Sequence, residues 1–380
     1  MTVARREVDT RTSRGPVSTS NPAPGLQGLA YVEVSHFARM IRCMTPTFDA
    51  SSMTMREIVR HQTALSQELA RRFERLAALA FTDIVESGAY FTHFGDEAGQ
   101  RLQHLHFDLL EQSMATGTGA NLGRIVDTAG DGAFACFASA GAAVQAMMAL
   151  QNRITCENVS RPRPHQLSVR VGLHWGHVLT DGVQVTGDAV NLCARLVATA
   201  RASEIRLSRD LFQELSLDLR RLCRPLGQVN LKGITRSVEL MALLWRDPVR
   251  FPSQVVIRES GERIVLPTQD TVCFGRGEQV DRTTANDVAL GLPDALVARQ
   301  VSRRHFELRA QPDGYLLKAL TSQSTEVDGV AMQRDQELPI RPGSCVRLAD
   351  VMTLDFASPS LADEGTIGAT LGRPRVVSIN

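Results

Sequence analysis

Apolar and polar positions change period several times along the chain, and each change marks an element. From Ser52 to about Ala77 the apolar residues Met55, Ile58, Leu65, Leu69, Phe73 and Leu76 recur at spacings of three, four and seven, the rhythm of one helical face. The spacing predicts a helix over 52–77, either a dimerising helix feeding the following domain or one packed on that domain. From Ala78 the pattern alternates. Ala78–Val85 (ALAFTDIV) reads as a strand, Glu97–Met114 as a helix, and Arg124–Phe137 as two strands joined by a Gly-Asp-Gly turn. An Ala-rich helix over Ser139–Thr155 and a strand over Leu167–His177 complete the order β-α-β-β-α-β, that of a ferredoxin-like α+β domain. A helix over Gly187–Thr199 and two strands within Val229–Trp245 extend it to residue 246. Beyond a linker over 247–254, residues 255–357 become short alternating strands broken by turn signals, which predicts an all-β sandwich. The ends, 1–51 and 358–380, have no clear period, and the first 25 residues are rich in Ser, Thr, Pro and Arg.

Composition removes several functions. A chain of 380 residues with 43% hydrophobic residues can bury sizeable cores, and a net charge of +1 argues against nucleic-acid binding by bulk electrostatics. No apolar run approaches a membrane span and no signal-peptide core is present, so a cytoplasmic protein is expected. Seven cysteines, widely scattered and without a C-x-x-C pair, indicate neither a disulfide framework nor a zinc site.

Two acids carry the candidate chemistry. The turn lifts Asp131 to a hairpin tip, and Asp83 stands near the end of the first strand. If those strands lie side by side, two carboxylates meet at one sheet edge, a repulsion that a divalent cation relieves.

In order, FTDIV, VDTAGDGAFACF, VRVGLHWG, GDAVNLCARL and LKG make residues 78–246 resemble the catalytic domain of class III nucleotidyl cyclases, the adenylate and guanylate cyclases. The resemblance implies conversion of ATP or GTP to the 3′,5′-cyclic nucleotide and pyrophosphate, with two divalent metal ions (Mg²⁺ or Mn²⁺), at an antiparallel homodimer interface. It assigns Asp83, Asp131 and Ile84 to the metals, Asn191 to the ribose, Arg195 to the α-phosphate and Lys232 to the terminal phosphates. His174 is expected to pack. Glu86 stands where the family usually has Gly, and the base-specifying positions hold Asp127 and Gln184, neither usual pair. ATP is expected slightly ahead, with measurable GTP turnover.

Residues 255–357 resemble a forkhead-associated (FHA) domain, a phosphothreonine-peptide reader, through FGR, NDV, VSRRHFEL and STEVDG. That resemblance assigns Arg276 and Ser302 to the phosphate, Arg303 to the peptide and His305 to pinning the loop, with Gln323 where an Asn usually grips the ligand backbone. The expected partner is a phosphothreonine protein or this chain's own segment around Thr10 and Thr12. The other reading is a phosphothreonine-dependent adaptor whose cyclase-like domain is weak or inactive.

Overall fold

The computed structural model describes residues 50–114, 123–277, 279–280, 283–284, 286–292 and 294–358. Thr10 and Thr12 lie outside them. The chain divides into two units, residues 1–66 and 67–380. Helix α1 (Met55–Phe73) opens on a reciprocal cap in which Thr54 N–H donates to Glu57 Oε2 at 2.8 Å and Glu57 N–H to Thr54 Oγ1 at 3.4 Å. Met55, Ile58, Val59, Leu65 and Leu69 are all exposed along it. The helix stops short of the expected Ala77. Residues 74–77 instead begin strand β1 (Glu74–Ile84), whose ladder starts at Glu74 opposite Leu179. Leu76 fits a helical period, but strand pairing overrides it.

In the larger unit β1 is followed by α2 (Ser87–Phe94), α3 (Asp96–Met114), β2 (Arg124–Ala129), β3 (Gly132–Phe137), α4 (Ala140–Asn158) and β4 (Val169–Thr180). The ferredoxin-like order is therefore present, with α2 as an addition. Then come β5 (Val185–Thr186), α5 (Asp188–Val197), β6 (Ile205–Ser208), β7 (Cys223–Asn230) and β8 (Ser237–Leu243). Among the described residues they form an eight-stranded sheet in the order β2-β3-β1-β4-β6-β8-β7, with β5 beside β4. Strand β1 is central and covered on both faces, which explains its nearly continuous apolar run. Ala78 and Ala80 join a core with Leu110, Val144 and Met147 from α3 and α4. The alternate residues Ala77 and Leu79 pack with Phe134 and with Cys193 of α5, as a period of two requires.

The rest is an antiparallel-rich β-sandwich of a six-stranded and a five-stranded sheet. Phe274, Phe306 and Phe356 are buried at its centre, the first two stacked with centroids 4.5 Å apart. This sandwich docks on the cyclase-like part through a buried polar clamp. Asp270 accepts from Thr155 Oγ1 and Asn158 Nδ2 of α4, each at 2.7 Å, and from Arg246 just after β8. The Arg246 guanidinium lies over Trp245 at 4.6 Å and also faces Phe251 and Tyr315. Nearby, Arg163 grips both oxygens of Asp287 at 3.0 and 2.8 Å.

Candidate functional site

The register of β1 and β3 places Asp83 opposite Gly132, so Asp131 stands one residue away at the hairpin tip. Gly130 turns the hairpin at φ 63°. Neither carboxylate is bare. Asp83 accepts from Arg170 Nε at 2.7 Å and forms an ion pair with its guanidinium, while Asp131 accepts from Ser87 Oγ. Arg170 lies directly opposite Asp83 in the β1–β4 ladder. Sequence reasoning missed it, although one arginine within the otherwise apolar VRVGLHWG strand was the signal. Ile84 is buried and pairs with Val169. Below the hairpin the His106 imidazole is fully buried, and burial pushes its pKa down to about 4 against the opposing pull of Asp131. Glu86 is exposed at φ 58°, ψ 26°, a left-handed conformation that glycine adopts without cost. A glycine is therefore favoured there by backbone geometry, whatever the side chain does to the nucleotide.

The oxygen-rich edge fits a small hard cation. Such ions are held by one or two carboxylates and completed by water and substrate phosphates, not by a full protein cage. Among the described residues no cluster of three or more His, Cys, Asp or Glu side chains could hold a metal.

Helix α5 carries two further expected residues. Ala189, Leu192, Cys193, Leu196 and Val197 are buried, leaving Asn191 and Arg195, four residues apart, on the exposed side. Both line a cavity of about 1040 Å³ with Lys232 and His174. His174 is buried, its Nδ1 is 2.8 Å from Ser208 Oγ, and burial lowers its pKa to about 4, the packing role expected. A separate cavity of about 730 Å³ is lined by Asp83, Arg170, Asp127 and Gln184, with Val190 and Ala194 from the adjacent face of α5. The fold thus gathers Asp127 and Gln184 with Asp83, and Asn191 and Arg195 with Lys232, but does not bring the two groups into one cavity.

On the sandwich, Arg276 N–H donates to the Ser302 carbonyl at 3.0 Å, and Asn286 Nδ2 ties the same loops by donating to Gly277 O and Arg303 O. Gly275 is required there, since a Cβ would meet Arg303 O at 2.1 Å. His305 Nδ1 accepts from Ser302 N–H at 3.2 Å, which leaves Nε2–H to donate to Thr325 Oγ1 at 3.0 Å. That tautomer pins the loop; burial holds the His305 pKa down to about 4. Arg276, Ser302, Arg303 and Gln323 share one surface cavity of about 480 Å³.

Comparison with known proteins agrees with this division. Residues 70–244 match the adenylate and guanylate cyclase catalytic domain, and residues 258–349 match the FHA domain. The chain therefore carries a cyclase catalytic domain followed by an FHA domain. It is 27% identical over 137 residues to a Rhizobium meliloti (strain 1021) protein named "Putative adenylate cyclase 3", covering 36% of this chain and 23% of that one. It is 30% identical over 121 residues to the serine/threonine-protein kinase pkn2 of Myxococcus xanthus, covering 31% and 14% respectively. The matches thus span about a quarter or less of either relative. Among solved structures, the adenylate/guanylate cyclase/hydrolase from Silicibacter pomeroyi is 26% identical, covering 46% of this chain and 98% of that chain, with a TM-score of 0.40. No described helix is long and apolar enough to cross a membrane.

Proposed function

We propose that this chain is a nucleotidyl cyclase that works as a homodimer and is addressed through a phosphothreonine-reading FHA domain. One observation carries the reading: the two halves of a cyclase site line different cavities on adjacent faces of α5. The carboxylate edge of one chain needs the Asn191, Arg195 and Lys232 side chains of a second copy. In the reaction the 3′-hydroxyl attacks the α-phosphate in line and pyrophosphate leaves, so positioning and charge stabilisation supply most of the catalysis. Asn191 orients the ribose, Arg195 meets the charge growing on the α-phosphate, and Lys232 holds the terminal phosphates. Asp83, Asp131 and the Ile84 carbonyl would hold two divalent cations, Mg²⁺ or Mn²⁺, which when bound supply hydroxyl activation and phosphate neutralisation. Arg170 then passes from the Asp83 carboxylate to the incoming phosphates.

Discrimination between the bases is weak, with ATP slightly ahead and GTP also turned over. An ionised Asp127 only accepts hydrogen bonds, which suits guanine N1–H and N2–H₂, while the Gln184 amide serves either base. The FHA face binds phosphothreonine through Arg276 and Ser302, with Arg303 and Gln323 on the peptide.

The test is direct. Purified protein with Mn²⁺ and either ATP or GTP should yield cyclic product detectable by chromatography. Asp83→Ala and Arg195→Ala should each abolish it alone, and exchanging their chains should restore partial activity, since both lesions then fall in one of two sites. Verified mixed dimers without activity would sink the shared site.

A further inference from the structure

One run of polar contacts joins the phosphate face of the FHA domain to the carboxylate edge of the cyclase domain. Asn286, which ties the phosphate loops through Gly277 O and Arg303 O, is followed by Asp287. Within the FHA domain Asp287 accepts from Cys273 N–H at 2.7 Å, and across the seam it accepts from Arg163. Arg163 opens the short helical turn Arg163–His165, stiffened by Pro162 and Pro164. At the other end of the turn His165 Nδ1 is hydrogen-bonded to Tyr90 Oη at 3.0 Å, and its ring packs on Phe94 with centroids 4.5 Å apart. Tyr90 and Phe94 belong to α2, whose first residue, Ser87, donates to the Asp131 carboxylate.

Such a run transmits only if part of it has two arrangements. Arg304 supplies them. It lines the phosphate cavity with Arg276 and Ser302, and it also lines a cavity of about 460 Å³ at the seam. Its guanidinium reaches the Cys273 sulfur at 3.3 Å, the same atom that the Arg163 guanidinium contacts. Burial raises the Cys273 pKa, so the thiol stays neutral and two like charges meet on it. A phosphate on the outer face draws Arg304 to itself and leaves the sulfur and Asp287 to Arg163. The turn has room to answer, because Arg163 and Pro164 line both the seam cavity and another of about 530 Å³ shared with Glu86 and Tyr90.

We propose that the Arg163–His165 turn couples the two domains. Phosphothreonine binding on the FHA face tightens the hold of Arg163 on Asp287, steadies α2 and fixes Ser87 against Asp131, which favours nucleotide binding at the cyclase edge. Arg163 and Tyr90 are positioning residues that act through α2. The inference rests on the phosphothreonine and cyclase readings above and adds to them the route and sign of regulation.

The experiment uses the full chain. The probes are a fluorescently labelled phosphothreonine peptide, the tightest binder from a degenerate phosphothreonine library, and its plain-threonine twin. Their anisotropy is followed with and without Mn²⁺ and 3′-deoxy-ATP, which lacks the attacking hydroxyl and cannot cyclise. The nucleotide should tighten the phosphopeptide Kd at least about 5-fold, and the phosphopeptide should tighten 3′-deoxy-ATP by the same factor. In turnover the peptide should lower KM for ATP more than it raises kcat. Tyr90→Phe, which removes one hydroxyl, and Arg163→Gln should each cut the coupling below about 2-fold while either ligand alone binds within about 2-fold of its parent affinity. Arg163→Lys should keep part of the coupling. If the phosphopeptide Kd is the same with and without nucleotide, if the coupling has the opposite sign, or if it survives both variants, the coupling inference is wrong and the phosphothreonine reading stands. If no library peptide binds, or the plain-threonine twin binds as tightly, the phosphothreonine reading fails and the coupling with it. If 3′-deoxy-ATP binds neither with nor without the peptide, the cyclase reading and the coupling fail together.

Discussion

Two of the carboxylates that face an arginine serve opposite ends. Asp83 meets Arg170 at the cyclase edge with side chains 24% and 31% exposed, whereas Asp270 meets Arg246 at the domain seam with 5% and 9%. At the edge, water and incoming ligands reach the pair, so its net contribution to stability is small and its partner is exchangeable. At the seam both ions have lost water, and further bonds from Thr155 and Asn158 satisfy the acid. Such a pair holds only as a set, because removing one member strands a buried charge. The same two residue types thus make a replaceable ligand in one place and a fixed joint in the other.

The comparison breaks most clearly at the edge. Asp83→Asn should lower cyclase kcat by at least about 10³-fold, while the melting temperature stays near that of the parent. Asp270→Ala should reverse this signature, costing about 3–5 kcal/mol in denaturant unfolding and opening the seam to limited proteolysis. Replacing Arg246 by Met as well should recover part of that loss, since no charge is then left stranded.

Acid should probe both regions together. His106 and His174 behind the cyclase halves and His305 under the phosphate loop have native pKa values lowered to about 4. The unfolded chain takes up those protons near pH 6.5, so unfolding consumes protons between the two values. Their stability is complete above pH 6.5 and is lost as pH falls toward 4. Melting followed from pH 7.5 to 5 should show a steady decline, and His305→Asn should reduce the slope of the FHA transition alone. The smallest effect belongs to the strained turn at the edge: Glu86→Gly should stabilise the chain by up to about 1 kcal/mol, seen as a rise in denaturant midpoint.

The positions of Asp83 and Asp131 follow from strand alternation and a turn, whereas Asn191 and Arg195 were singled out by the resemblance to the cyclase family, their four-residue spacing showing only that they share one helical face. Arg170 was not legible, since its role exists only once β4 is in register with β1. Asp270 and Arg246 were still less visible: their partners come from α4 and the FHA strands, and no local period records a contact between distant segments. The helix end at Phe73 escaped because Leu76 suits both a helix and a strand.

The seam has a consequence for signalling geometry. Because α4 and Asp270 fix the reader to the cyclase body, the proposed homodimer carries two readers at a set separation rather than on loose tethers. A partner with two phosphothreonines at the matching span would engage the second site intramolecularly, gaining avidity of about 10²–10⁴ with no new contact. Partners of other spans would gain nothing. On the proposed reading the joint between domains would act as a ruler.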